Sequence, residues 1–228
     1  MKLTISTTRR ENLLGLSYLL FSMFVLPTVL ALASLYLAIP MSETVINLIY
    51  FAVNFLAVAV IFHKFLAASV KAALQASRRC IWFAAVGLIL YFVMTMLISR
   101  IILMIDPEFA NVNDQSIAQM AEKHYALMVF FTVLLVPITE ETLYRGLLFQ
   151  TLQRKNRFVA YILSVFVFSM IHIIGYIGMF DFCTLALCFA QYLPAGIALA
   201  WAYEKSYTIL TPILIHIIIN LIGFAALR

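Results

Sequence analysis

Runs of about 20 apolar residues, broken by short clusters of charge, recur along the whole chain. A helix of that length crosses the hydrocarbon core of a bilayer. The pattern predicts spans at 13–38, 44–66, 80–104, 125–150, 158–178, 181–203 and 207–227. Glutamates interrupt the fourth, and the sixth contains Pro194 and Gly196, which predicts a possible break into two pieces. The expected fold is an all-α polytopic membrane helix bundle of seven transmembrane helices, with eight as the alternative. One membrane domain is expected over 1–228, and the 105–123 connection is the one candidate for extramembrane structure, as a short interfacial helix.

Composition agrees with the pattern. Of the 228 residues, 65% are hydrophobic and 11% charged, and mean hydropathy is +1.05. Soluble domains carry about 25% charged residues, and no soluble core of this size hides such an apolar excess. Basic residues mark the amino-terminal segment (Lys2, Arg9, Arg10), the second connection (Lys64, Lys71, Arg78, Arg79) and the fourth (Arg154, Lys155, Arg157). Lys205 lies in the sixth, whereas the third is acidic. Because Lys and Arg accumulate in cytoplasmic loops, the amino terminus is expected in the cytoplasm. The net charge of +5 then reflects topology and anionic lipid, and no nucleic-acid partner is implied. Cys80, Cys183 and Cys188 have no metal-type spacing and are expected to be small packing residues.

Polar groups at membrane depth concentrate in the second half: Glu140, Glu141 and Arg145, then His172, then His216 and Asn220. A charge at the centre of a spanning helix costs roughly 2.5–3.5 kcal/mol, so each requires a partner or a cavity. Glu141 and Arg145 are one helical turn apart and are expected to pair; a purely structural ion network is the simplest reading of both. Glu140 is rotated by about 100° and has no basic partner at helical spacing. Counted along their helices, Glu140 and His172 both lie roughly 20 Å from the basic fourth connection, and His216 and Asn220 reach a similar level. A carboxylate beside an imidazole can deprotonate water, and further donors can stabilise an oxyanion. Such a set suits hydrolysis of a peptide bond within the membrane.

The residues form three motifs in order: "EETLYRG" (EExxxR), "FSMIH" (FxxxH, Phe168 to His172) and "HIIIN" (HxxxN, His216 to Asn220). Their order and separation resemble the CAAX protease and bacteriocin-processing enzyme family (CPBP, also called Abi), which includes the type II CAAX prenyl endopeptidases. The resemblance covers residues 125–225 and leaves 1–104 as scaffold helices. It implies an intramembrane endopeptidase in which Glu140 activates water with His172, and His216 and Asn220 stabilise the oxyanion. Glu141 and Arg145 would brace the site, and Phe168 would pack beside it. The implied partners are the bilayer and a membrane-embedded or lipidated peptide or protein. A metal-independent mechanism is favoured, since HExxH is absent and a ligating glutamate is not free as a base. Zinc held by Glu140, His172 and His216 is the alternative. Proton-coupled transport and a non-catalytic bacteriocin-immunity or adaptor role are the competing functions. The short chain suggests a bacterial plasma membrane.

Overall fold

The computed structural model describes residues 5–36 and 41–227. Lys2 and the end of the predicted 13–38 span lie outside the described residues. Those residues form eight helices and no strand. They are α1 (Arg9–Tyr36), α2 (Glu43–Ile61), α3 (His63–Gln75), α4 (Ser77–Ile105), α5 (Val112–Gln153), α6 (Arg157–Ile171), α7 (Phe182–Ser206) and α8 (Leu210–Ala226). By length and apolar composition α1, α2, α4, α5 and α7 can cross a membrane, while α6 and α8 are apolar but shorter. The chain is a multi-pass all-α membrane protein.

Several helix starts have a local cause. Thr8 caps α1 in a reciprocal capping box with Glu11, so two otherwise unpaired backbone donors are satisfied together. The other oxygen of Glu11 accepts from Phe65 N at 3.0 Å. This buried carboxylate therefore also serves the first turn of α3 and fixes it against α1. Asn111 caps α5 by accepting from Asn113 N and Asp114 N, and Asp181 caps α7 through Thr184 N.

Three sequence expectations are revised. The 44–66 span ends at Ile61, because Phe62 leaves helical geometry (φ −104°, ψ 18°) and α3 starts anew behind it. The 158–178 span stops at Ile171; a short 3-10 turn, Ile174–Tyr176, and Gly178 at φ 87° follow. Glycine at Gly178 suits the turn after the 3-10 segment, and "IIGYIGMF" is as apolar as the helix before it, so hydropathy alone runs through the boundary. The predicted break near Pro194 is absent: α7 is one continuous helix. The acidic connection is helical from Val112, as expected of a short helix there, and the break in helical geometry at His124 (φ −135°, ψ 43°) separates it from the spanning part of α5.

Burial ranks the helices. In the most apolar windows of α5 and α7, 44% of residues are buried, against 6% in α4. α5 and α7 are therefore the interior helices, and the outer ones expose large apolar side chains such as Leu35, Leu56, Ile89 and Met104, as a lipid-facing surface requires. α4 packs along α7 and α8, α6 against α5 and α7, and α2 against the Val136–Glu141 segment of α5.

Two close approaches need glycine. A Cβ on Gly146 would lie 2.7 Å from Phe65 Cε1, and one on Gly196 would lie 2.9 Å from Val165 Cγ1. Gly146 seats α3 on α5, and Gly196 lets α6 and α7 meet. At the end of the bundle opposite Asn111, Gln150 is fully buried and donates to Ile5 O and Tyr203 OH, both at 2.8 Å, while Thr7 N donates to it. Glu204 draws in Arg157, Gln153 and Tyr161 nearby. The ends of α5, α6 and α7 are thus tied together.

Candidate active site

The site is built on an irregular stretch of α5. Phe130–Leu135 and Thr142–Phe149 are π-helical, and between them lies the α-helical segment Val136–Glu141. Such wide turns are rare and frequently occur at functional sites. Pro137 explains part of the irregularity. In the wide register Val136 N donates to Phe131 O, so the next carbonyl, Thr132 O, would take its donor from residue 137. Proline has no N–H. The amide of Asn220 supplies the missing donor, with Nδ2 2.8 Å from Thr132 O. Asn220 is thereby locked to α5 through one of its two amide hydrogens, and the second is free for another acceptor.

Glu141 and Arg145 pair as the spacing predicts. Both side chains are fully buried, with Arg145 Nη1 2.9 Å from Glu141 Oε1. Arg145 Nη2 also donates to Gly196 O at 3.1 Å, and the guanidinium lies 4.5 Å above the Phe168 ring. A third partner was not expected: His216 Nδ1 is 2.9 Å from the same Oε1 of Glu141. Since that oxygen can only accept as a carboxylate, Nδ1 carries the proton, and Nε2 is the ring nitrogen left free. Glu141 thus braces α5 internally and also orients the histidine of α8.

His172 is held in a parallel manner. It is the residue immediately after α6, and its Nδ1 donates to Phe168 O at 2.7 Å. A carbonyl only accepts, so Nε2 is again the free nitrogen. Phe168, 2% exposed, is the hub: its ring meets Tyr144, His172 and His216 at centroid distances of 6.0, 4.9 and 5.9 Å. The expectation that Phe168 packs beside the polar set understated its place, which is between both histidines and the arginine.

Glu140 differs from its neighbour. It is half-buried, and among the described residues its shielded Oε2 has no hydrogen-bond partner. A buried polar atom without a partner normally carries a cost of about 1–3 kcal/mol; Glu141 Oε2 and Arg145 Nε are also unpartnered, but their side chains are tied into the network through Glu141 Oε1, and that of Glu140 is not. Sequence reasoning missed one contributor entirely. Tyr192, within "FAQYLPAG", stacks on His172 with centroids 4.1 Å apart and planes inclined by 24°. No spacing rule points to it, because the contact joins α7 to a residue beyond the end of α6.

All of these motif residues fall inside one matched region. Residues 122–222 match the family model for type II CAAX prenyl endopeptidase, Rce1-like. The resemblance carried by EExxxR, FxxxH and HxxxN is therefore found independently, over nearly the same residues. The Rce1-like region comprises most of α5 with α6, α7 and α8, the elements that supply every polar group of the site. The helices before it contribute the packing surface of α2 against Val136–Glu141. No curated protein and no solved structure matches the chain.

Among the described residues no three His, Cys, Asp or Glu side chains are grouped as a set that could hold a metal ion. Glu140, His172 and His216, the residues named above for zinc, do not fit such a set in this arrangement.

Proposed function

We propose that this protein is an intramembrane endopeptidase in which Glu140 is the general base. The observation that carries the reading is the contrast between two adjacent glutamates. Glu141 is engaged through Oε1 by both Arg145 and His216, whereas Glu140 enters no ion pair among the described residues and leaves its shielded Oε2 unpartnered beside the same frame.

In this mechanism a water molecule donates one hydrogen to Glu140 and the other to His172 Nε2, which the Nδ1 bond to Phe168 O leaves available as an acceptor. Glu140 takes the proton as the water oxygen attacks the scissile carbonyl carbon. Negative charge develops on the carbonyl oxygen, where the free amide hydrogen of Asn220 donates. His216, its ring oriented through Nδ1 by Glu141, joins as a second donor when Nε2 carries a proton. Collapse of the tetrahedral intermediate breaks the C–N bond. Glu140 returns its proton to the departing amine, leaving a new carboxylate and a new amino terminus. No step is routed through a metal.

The substrate class follows from the family and the setting: a lipidated or membrane-embedded peptide, with a prenylated CAAX carboxyl terminus as the first to test. Bacteriocin and pheromone precursors present the same kind of amphipathic peptide. The deciding experiment uses the purified protein in proteoliposomes with a farnesylated CAAX peptide, the unlipidated peptide and a bacteriocin precursor, with products identified by mass spectrometry. Cleavage of a lipidated or membrane-inserted peptide at one defined bond supports the reading. No hydrolysis of any of the three by well-folded protein would count against it.

A further inference from the structure

His172 stands at an exposed point in the architecture. Its helix has ended, and the residues after it form only a 3-10 turn, so no following helical turn fixes its backbone. Its ring is held instead by its neighbours. Phe168 lies against it at 4.9 Å with planes tilted by 55°, and Tyr192 of α7 lies nearly parallel to it at 4.1 Å. The Tyr192 hydroxyl is itself gripped by the amino-terminal turn of α5. It donates to Asp114 Oδ1 at 2.8 Å, receives Asn113 Nδ2 at 3.0 Å, and lies 3.3 Å from Asn111 Oδ1. Asn111, the cap of α5, also donates to the neighbouring Gln191 at 2.8 Å.

We infer that Tyr192 is a positioning residue for His172: its ring sets the plane of the imidazole, and the Asn111–Asp114 turn sets the ring. This deepens the peptidase reading and rests on it. Stacking fixes the direction in which Nε2 points, while the Nδ1 bond to Phe168 O fixes only one point of the ring. A tyrosine free to turn would leave His172 free to swing about that bond. The grip on its hydroxyl removes this freedom, and it comes from the amino-terminal turn of α5. A misplacement of about 1 Å in a reacting group can cost about 10²-fold in rate, so the effect belongs in turnover and not in substrate binding.

The test uses full-length protein in proteoliposomes with the farnesylated CAAX peptide as probe. Tyr192→Leu is expected to lower kcat by about 10–100-fold with KM changed less than about twofold. Tyr192→Phe, which keeps the stack and loses the grip, is expected to recover kcat to within about two- to fivefold of the parent. Asn113→Ala should match the Tyr192→Phe deficit in the parent chain and add nothing in the Tyr192→Phe background. Wild-type kcat in folded Tyr192→Leu, or a loss confined to KM or thermal stability, overturns the inference. If Tyr192→Leu does not fold, the cycle between Tyr192→Phe and Asn113→Ala decides, and simple additivity overturns it. His172→Ala separates the two levels. Inactive His172→Ala with active Tyr192→Leu sinks only the positioning role, whereas active His172→Ala sinks the peptidase reading with it. Independently of turnover, NMR of histidine-labelled protein should show the His172 ring protons displaced upfield relative to Tyr192→Leu, and unchanged shifts would overturn the stack.

Discussion

Replacing Glu141 by alanine removes the shared acceptor at the centre of the buried network. Its Oε1 takes hydrogen bonds from Arg145 and His216, each at 2.9 Å, and neither Glu141 nor Arg145 has any solvent exposure. The variant leaves a buried guanidinium with the Gly196 carbonyl at 3.1 Å and the Phe168 face at 4.5 Å. A desolvated cation over an aromatic ring contributes about 2 kcal/mol, which does not replace a carboxylate. Removing one member of a buried ion pair costs about 3–5 kcal/mol. At about 2–4 °C per kcal/mol for a chain of this size, the unfolding midpoint in detergent should fall by roughly 6–20 °C. Arg145→Met alone strips Glu141 of its cation and is also destabilising. The combined variant removes both charges, so it should lose less than the sum of the two single changes. An unchanged midpoint in Glu141→Ala, or strict additivity in the double variant, would refute the network.

Three further outcomes are expected. Asn220→Ala and His216→Ala should each reduce turnover by about 10²–10³-fold, the usual effect of losing an oxyanion donor. Asn220→Ala should also lower the unfolding midpoint, since it orphans Thr132 O; chelator-sensitive turnover with zinc lost in His216→Ala and full activity in Asn220→Ala would replace this assignment with a metal one. Gly146→Ala should destabilise by about 1–3 kcal/mol through overpacking on Phe65, measured by thermal unfolding, with Phe65→Leu relieving the loss. Gln150→Ala should cost about 1–3 kcal/mol by stranding buried donors and acceptors and should render the segment around Thr7 sensitive to limited proteolysis.

Much of this architecture is legible in the sequence because lipid imposes simple rules. Apolar run length located the helices that became α1, α4, α5 and α7, and the i, i+4 rule paired Glu141 with Arg145. What escaped was set by contacts that periodicity does not encode. The end of α6 at Ile171 falls inside an apolar run that continues through a 3-10 turn to Gly178, and the first turn of the separate α3 is met by Glu11 from another helix at Phe65 N. A regular helix of 3.6 residues per turn was assumed for α5, yet its π-helical turns and Pro137 create the orphaned carbonyl that Asn220 satisfies. His216 is assigned with Asn220 to the oxyanion, and nothing in the spacing anticipates a contact with Glu141. Its bond to Glu141 joins two motifs that spacing along one helix cannot relate, and the Tyr192 stack on His172 crosses helices in the same way.

The central claim is that Glu140 is the base, and Glu140→Gln tests it most directly. Glutamine keeps the shape and lets the Glu141–Arg145–His216 network stand, but it cannot accept a proton from water. With hydrolysis of the farnesylated CAAX peptide measured in proteoliposomes, the account predicts an unfolding midpoint within about 2 °C of the parent, equivalent to less than 1 kcal/mol. It also predicts turnover lower by about 10²–10⁴-fold, the range ascribed to general-base catalysis. A folded Glu140→Gln variant that hydrolyses the peptide at the parent rate would contradict it.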